Sequence, residues 1–371
     1  MLKRMYVDNY KCLVNFDISL DRINLFLGEN GSGKSTVFEV LQRIVKFVRG
    51  VSRVEEIFES DSRTRWHTQP LQSFELDFAL TEGLFRYELS IEHKPEELKR
   101  RVRHERLWLN NGPLLRFELG EVHLYRDDHS EGPVYPFDWS QSALASIFPR
   151  HDNRHLSRFK ETLSRVVVLQ ILPPLMVAES AREDPRPSWN LENYTAWYRY
   201  LSHDQGMVVR LQETLSSVLP GFKSFRFEQV GEQHRLLKLY FANEEGNSVA
   251  GYSLGELSDG QRALLALYTL LFDAEANPDR DHILCLDEPD NFIALPEIQP
   301  WLVRLHDLCQ QGLTQAILIS HHPELINYLA AESGIWFEHE PNRPVRVKPI
   351  NEGNLAGLPI AELIARGWLH G

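Results

Sequence analysis

Apolar residues recur along this chain with two periods. Residues 23–27 (Ile-Asn-Leu-Phe-Leu), 283–286 (Ile-Leu-Cys-Leu) and 316–319 (Ala-Ile-Leu-Ile) are short apolar runs. Runs of that length bounded by polar turns predict buried strands. Between and after them the spacing changes to three and four. Phe38, Leu41, Ile44, Val45 and Val48 share one face while Glu39, Gln42, Arg43 and Lys46 take the other, which predicts a helix from Thr36. Residues 262–272 and 297–311 predict two more helices, the second stopped by Gly312. Buried strands alternating with helices imply a mostly parallel sheet covered on both faces. Period-two alternation appears at residues 2–7 and 14–20. It recurs at 74–78 and 85–91 around Thr81-Glu82-Gly83, and at 106–109 and 114–119 around Asn110-Asn111-Gly112. These predict two leading strands and two hairpins, hence an antiparallel sheet near the N-terminus. Residues 51–72 are polar and arginine-rich and read as a surface loop. Residues 157–172 and 190–219 return to helical spacing, broken by Pro173-Pro174 and by 184–187, and predict a helical lobe; 236–241 alternate again, and 358–371 read as one short helix. The predicted organisation is an N-terminal lobe over 1–140, a helical lobe over 141–250 and a C-terminal lobe over 251–371. The fold class is α/β, with a mostly parallel core sheet, an N-terminal antiparallel sheet and a helical lobe.

The first predicted strand runs directly into Gly28-Glu29-Asn30-Gly31-Ser32-Gly33-Lys34-Ser35, which fits G-x-x-x-x-G-K-S. Each residue type has a task there. Glycines let successive N–H groups of Asn30, Gly31, Ser32 and Gly33 turn inward onto a polyphosphate. Lys34 supplies a point charge, the Ser35 hydroxyl a Mg²⁺ ligand, and the helix beginning at Thr36 a dipole that favours an anion. Downstream, the 283–286 strand ends in Asp287-Glu288-Pro289. After a phosphate loop, Asp287 reads as the metal carboxylate and Glu288 as the base that polarises an attacking water. His321 follows the 316–319 strand, where it can touch a γ-phosphate, with His322 as the other choice. Gln141, between the sheet and the helical lobe, is the candidate glutamine joining metal to lobe movement; Gln69 and Gln72 are alternatives. Lys11, in Asn9-Tyr10-Lys11, is the candidate contact to a nucleotide base. Trp189 and Trp197 read as lobe core rather than as a stacking platform. His151, Asp152 and His155 are the one loose metal-ligand grouping; no H-E-x-x-H and no zinc spacing occurs.

Composition narrows the setting. The chain has 371 residues, 43% of them hydrophobic, and a formal net charge of −12. It is long enough for one large domain or two lobes. No apolar run approaches the ~18 residues of a membrane span, and the first residues lack the apolar core of a signal peptide. Cys12, Cys285 and Cys309 are isolated and make no disulfide framework, so the expected location is cytoplasmic. An acidic protein binds nucleic acid only through a local basic groove. The densest basic run is Lys99-Arg100-Arg101-Val102-Arg103-His104-Glu105-Arg106. It reads either as a contact to a nucleic-acid backbone or, preferably, as a solvated edge strand whose charges block edge pairing.

Leu257-Ser258-Asp259-Gly260-Gln261 resembles the signature of ATP-binding-cassette (ABC) ATPases, with Asp259 where the commonest form has glycine. Ser258, Gly260 and Gln261 would then form a second phosphate cradle at a helix N-terminus. With Tyr6-Val7-Asp8-Asn9-Tyr10-Lys11, the loop at 28–35, the acids at 286–289 and residues 319–325, the chain resembles stand-alone bacterial RecF-like, AbiEii-type ABC-class AAA ATPases. These are related to the overcoming-lysogenization-defect and chromosome-maintenance ATPases. The resemblance implies a P-loop NTPase of ABC type that hydrolyses ATP with Mg²⁺ and closes head to tail as an ATP-dependent homodimer. It also implies a setting in DNA repair or defence against foreign DNA, with DNA and a separately encoded effector protein as partners and no membrane. Two departures stand out. The run Asp290-Asn291-Phe292-Ile293-Ala294-Leu295-Pro296 is one residue longer than the family's and lacks its histidine. The 222 residues between Ser35 and Leu257 carry no sustained heptads, so no coiled-coil arms are expected. Only 50 residues follow His321, so no appended nuclease domain is expected. Two other readings share these motifs: an ATP-dependent switch that recruits a nuclease or toxin, and an ABC transport subunit, whose span from loop to signature is usually far shorter.

Overall fold

The computed structural model describes residues 1–94, 99–243, 248–277, 281–350 and 359–366. In chain order the first elements are β1 (Leu2–Asp8), β2 (Phe16–Ser19), β3 (Ile23–Gly28), α1 (Lys34–Val48), α2 (Val54–Ile57), β4 (Leu71–Leu80), β5 (Gly83–Lys94), β6 (Lys99–Leu109), β7 (Gly112–Glu118), β8 (Glu121–Tyr125), β9 (Glu131–Pro136), α3 (Ala143–Ser146) and α4 (Arg154–Ser164). Then come β10 (Val167–Gln170), β11 (Glu179–Ser180), α5 (Tyr194–Leu201), α6 (Gln205–Val218), β12 (Phe222–Val230), β13 (His234–Ala242), β14 (Val249–Ser253), α7 (Asp259–Ala276), β15 (His282–Asp287), α8 (Leu295–Gln310), β16 (Thr314–Ile319), α9 (Pro323–Ser333), β17 (Gly334–Glu338), β18 (Arg346–Pro349) and α10 (Ile360–Ala365). They divide into two compact units. One holds Met1–Val166, Asp281–Ile283 and Glu332–Glu352; the other holds Val167–Arg280, Leu284–Ala331 and Gly353–Gly371.

The first unit contains an antiparallel sheet in the order β2-β1-β4-β5-β6-β7-β8-β9. Both predicted hairpins are present, β4–β5 and β6–β7. β8 and β9, which the sequence reading did not separate, extend the sheet. The basic run lies on β6, between β5 and β7, so it is an interior strand and not an edge. Two of its charges are matched across strands: Arg101 meets Glu92 at 2.5 Å, and Arg106 pairs with Glu118 and Glu88. Such ladders let charged residues sit in mid-sheet. Glu105, on the opposite face, is fully buried; it accepts from Tyr87, from Ser142 Oγ at 2.7 Å and from the Ala143 N–H at 2.6 Å, closing the start of α3. β3 pairs in parallel with β17, which pairs antiparallel with β18. α1 buries Phe38, Leu41, Ile44 and Val48, each side chain contributing ~1.5–3 kcal/mol of transfer free energy.

The second unit has β10, β15 and β16 as neighbouring strands, β10 running parallel to β15. A separate antiparallel sheet is ordered β11-β13-β12, with β14 also on β13. α7 is apolar on nearly every face and is buried along most of its length, as a central helix must be. Trp301 Nε1 of α8 donates to the Leu267 carbonyl at 3.1 Å, and Arg304 forks onto Glu275 while lying over the Phe272 ring. Residues 157–172 are not the single helix that their spacing predicts. α4 stops at Ser164, and the β-branched run Val166-Val167-Val168 enters strand β10. The predicted tail helix is α10; residues 367–371 lie outside the described residues.

Candidate nucleotide site

The phosphate-loop half belongs to the first unit. β3 carries the chain to Gly28, whose Cα pairs with Phe337 of β17. The loop then turns through Gly31 at φ 79° and Gly33 at φ 98°. A side chain at Gly33 would meet Val345 Cγ2 at 2.9 Å and Cys12 Sγ at 3.1 Å, so both conformation and space demand glycine. Gly33 caps α1 without offering a side chain, and no acid lies in the first turn. The cap residue therefore offers the leading N–H groups of α1 no side-chain acceptor, unlike α6 and α7, which Asp204 and Ser258 cap. Lys34 is buried and spends its donors on the Gly28 carbonyl at 2.6 Å, the Glu29 carbonyl at 2.9 Å and Ser32 Oγ at 3.3 Å. Its ammonium thus lies inside the loop's own curve. Asn30, Gly31 and Ser35 are exposed at the loop's surface, and Thr36 Oγ1 accepts from Cys12 at 3.8 Å. Lys11, the predicted base contact, places its ammonium 2.5 Å from Glu39 Oε2 of α1. Tyr10 OH shares that carboxylate at 2.9 Å. Burial raises Glu39's pKa, but the Lys11 and Tyr10 bonds outweigh it and hold the carboxyl below its usual range.

The acidic half belongs to the second unit. β15 ends at the buried Asp287. The chain then bends sharply: Glu288 has φ 49°, its N–H donates to the Ile319 carbonyl at 2.9 Å, and its Oε2 accepts from Asn291 Nδ2 at 2.6 Å. A non-glycine residue held at positive φ costs on the order of 1–3 kcal/mol and clusters at working sites. Asp290, three residues past Asp287, is buried; burial raises its carboxyl pKa, against a hydrogen bond from Ser320 that lowers it. Ser320 Oγ in turn accepts the His322 N–H at 2.9 Å, and His322 Nδ1 accepts from Glu324 N–H at 3.2 Å. This ordered turn presents His321 at the surface.

The signature segment is in the same unit. Ser258 caps α7: its Oγ accepts the Gln261 N–H at 3.2 Å, and Gln261 Oε1 accepts the Ser258 N–H at 3.0 Å. A side chain at Gly260 would come within 2.8 Å of the Phe292 carbonyl. The glycine therefore lets the segment after Glu288 lie against the start of α7. Arg262 reaches from Asp259, at 2.5 Å, to the Pro173 carbonyl, at 2.7 Å.

Shortly before Pro173 lies a residue that the sequence reading missed. Gln170 ends β10, and its Cα register partner across the sheet is Asp287. The strand signal was there in three consecutive valines; the misread helix concealed it. Gln141, the predicted glutamine, lies instead in an exposed turn between β9 and α3, its amide 3.5 Å from Asp138 Oδ2. Gln72 is committed to the core, donating to the Asn9 carbonyl at 3.0 Å, and Gln69 is exposed beside Pro70. Among the described residues no three His, Cys, Asp or Glu side chains gather for a metal. Asp152 of the loose grouping pairs with Arg150 at 3.2 Å. Taken singly, the exposed Ser35 hydroxyl and the strand-end carboxylate of Asp287 are each a hard oxygen donor of the kind Mg²⁺ takes.

No helix among the described residues is long and apolar enough to cross a membrane. Two solved structures resemble the chain in fold. One is titled as the SmcHead bound to the C-winged helix domain of ScpA, at 14% identity and a TM-score of 0.54, covering 94% of this chain and 98% of that one. The other is an SMC head domain from Thermotoga maritima, at 16% identity and a TM-score of 0.50, covering 94% and 99%. Both share their α/β fold with this chain. A search of curated proteins returns no match. Residues 23–327, from β3 into α9, match the family described as "AAA domain, putative AbiEii toxin, Type IV TA system". Because that match spans the larger part of the sequence, including the phosphate loop, the signature segment and both acids, the chain belongs to this family of AAA-domain P-loop ATPases.

Proposed function

We propose that the protein binds ATP at the 28–36 loop, hydrolyses it, and uses it to join two copies head to tail. One observation carries the reading: a glycine-turned loop delivers Lys34 and the uncapped N-terminus of a fifteen-residue helix to one point. Uncapped N–H groups, a helix dipole and a buried ammonium together favour a polyphosphate. Lys34 would exchange the Gly28 and Glu29 carbonyls for phosphate oxygens, and the N–H groups of Asn30 to Thr36 would line the rest. Ser35 and Asp287 would hold Mg²⁺, with Gln170 beside Asp287 in place of Gln141; the ion, when bound, offsets phosphate charge. Glu288, aimed by Asn291 and by its own bent backbone, would take the proton of the attacking water. His321 would sense the terminal phosphate. Ser258, Gly260 and Gln261 of a second copy would complete the phosphate shell, and Lys11 would border the base.

The family's description names a putative toxin of a type IV toxin–antitoxin system. With the resemblance to RecF-like ATPases, this supports a cytoplasmic role in defence against foreign DNA or in repair, working with DNA or an effector protein. The test is calorimetric titration of ATP into Lys34→Ala. Affinity should fall at least tenfold, ~1.4 kcal/mol; unchanged affinity would remove the loop from the reading.

A further inference from the structure

Five buried side-chain atoms that lack a hydrogen-bond partner among the described residues belong to one place in the first unit: Arg63 Nε, Thr64 Oγ1, His67 Nδ1, His93 Nδ1 and Arg100 Nε. Native interiors seldom leave such atoms unsatisfied, and a local concentration of them calls for a ligand. The residues converge through the fold. His93 and Arg100 face each other across β5 and β6. The His93 N–H donates to the Pro70 carbonyl at 2.8 Å, and the His67 N–H to the Thr64 carbonyl at 3.2 Å. These bonds draw the loop between α2 and β4 over the end of β5. The charges of Arg63 and Arg100 both act on the His93 ring.

The cluster is cationic, and nothing described neutralises it. Arg101 and Arg106, on the same strand as Arg100, have Glu92 and Glu118 as partners. Neither Arg63 nor Arg100 has a carboxylate partner among the described residues. His93 is oriented by Gln72. That amide gives its N–H groups to the Asn9 carbonyl and Ser62 Oγ, so its oxygen accepts from His93 Nε2 at 2.8 Å. Nε2 therefore carries the proton, and Nδ1 of His93, a residue only 3% exposed, is an acceptor without a partner among the described residues. Guanidinium groups with a hydroxyl nearby suit a tetrahedral oxyanion, which accepts several N–H bonds at once.

We propose that Arg63, Arg100 and Thr64, gathered beside His93, form a binding site for a phosphate group, separate from the 28–36 loop. Two sources present that chemistry: the backbone of a nucleic acid and a free phosphate. The neighbouring side chains favour the first. Trp66, 38% exposed, follows Arg65 in the same loop, Arg63-Thr64-Arg65-Trp66-His67. An exposed indole among arginines is a platform for an unpaired base beside a bound phosphate. The loop is also anchored toward the nucleotide side of its unit, since Ser62 O accepts the Lys11 N–H at 2.8 Å and Asn9 Nδ2 donates to the Gln69 and Leu71 carbonyls.

The test uses the full chain and the Lys34→Ala chain, so that the phosphate loop cannot account for binding. A short fluorescein-labelled single-stranded oligonucleotide is titrated by anisotropy over a range of salt, and inorganic phosphate alone by calorimetry. Arg63→Ala/Arg100→Ala should weaken oligonucleotide binding at least tenfold in both backgrounds. It should also flatten the slope of log K against log salt by about 0.7 for each phosphate that is no longer neutralised. Arg63→Lys/Arg100→Lys should recover part of the affinity, and with Lys34 intact neither arginine pair should change ATP binding, which reports intact folding. Phosphate binding that the double alanine variant abolishes, with no oligonucleotide binding, would support the site with a free phosphate as its source. Oligonucleotide and phosphate affinities both indifferent to the arginines, or absent altogether, would overturn it. That failure is distinct from failure of the ATP reading, which shows only in Lys34→Ala.

Discussion

Gly33→Ala separates conformation from space in the phosphate loop. At φ 98° and ψ 2° an alanine is in left-handed territory, which costs ~1–2 kcal/mol. Its methyl would lie 2.9 Å from Val345 Cγ2 and 3.1 Å from Cys12 Sγ. Val345 is 1% exposed and cannot swing away freely, so overpacking adds ~1–3 kcal/mol. The expected loss is therefore ~2–5 kcal/mol, read from urea unfolding followed by tryptophan fluorescence. Val345→Ala alone removes two methyl groups and should cost about 1.6 kcal/mol at ~0.8 per group. In the Gly33→Ala background that second change should cost little or even stabilise, because it relieves the contact. The coupling should be at least ~1 kcal/mol, of compensating sign. ATP affinity should stay low in the double variant, since the loop's N–H groups remain displaced. Strictly additive losses would refute the steric account. A Gly33→Ala chain as stable as the parent and binding ATP normally would refute the loop geometry itself.

Three further outcomes follow from the same site. Glu288→Gln should retain ATP binding while turnover falls ~10²-fold or more, and an ATP-bound dimer should accumulate in sedimentation; a parental rate would dismiss Glu288 as base. Ser258→Arg should bind ATP as a monomer and fail to dimerise or hydrolyse, and a stable ATP-dependent dimer of this variant would refute closure through the signature. Gln170→Ala should lower kcat at least tenfold with ATP affinity little changed while Gln141→Ala leaves both alone; the reverse pattern would return the metal-side glutamine to Gln141.

The sequence by itself determined what depends on contiguous residues. A phosphate loop is strand, turn and helix in one stretch, so 23–48 shows its residue types, order and even its glycine requirement without any partner. The same holds for Asp287-Glu288 at the end of an apolar strand and for the hairpins, whose turns and alternation are local. Only the tertiary structure decided what depends on pairing across distance. Gln170 gains its meaning from a register that sets it opposite Asp287, and its four-residue strand is too short to be distinguished by periodicity from the end of α4. The basic run became interior rather than edge because β7 to β9 continue the sheet beyond it, with Glu88, Glu92 and Glu118 meeting Arg101 and Arg106. The crowding of Gly33 by Val345 and of Gly260 by Phe292 also lies outside any local window. So does the gathering of Arg63, His93 and Arg100. Local chemistry is encoded by neighbours in sequence; electrostatic compensation and close packing are set by neighbours in space, which no single stretch of chain contains.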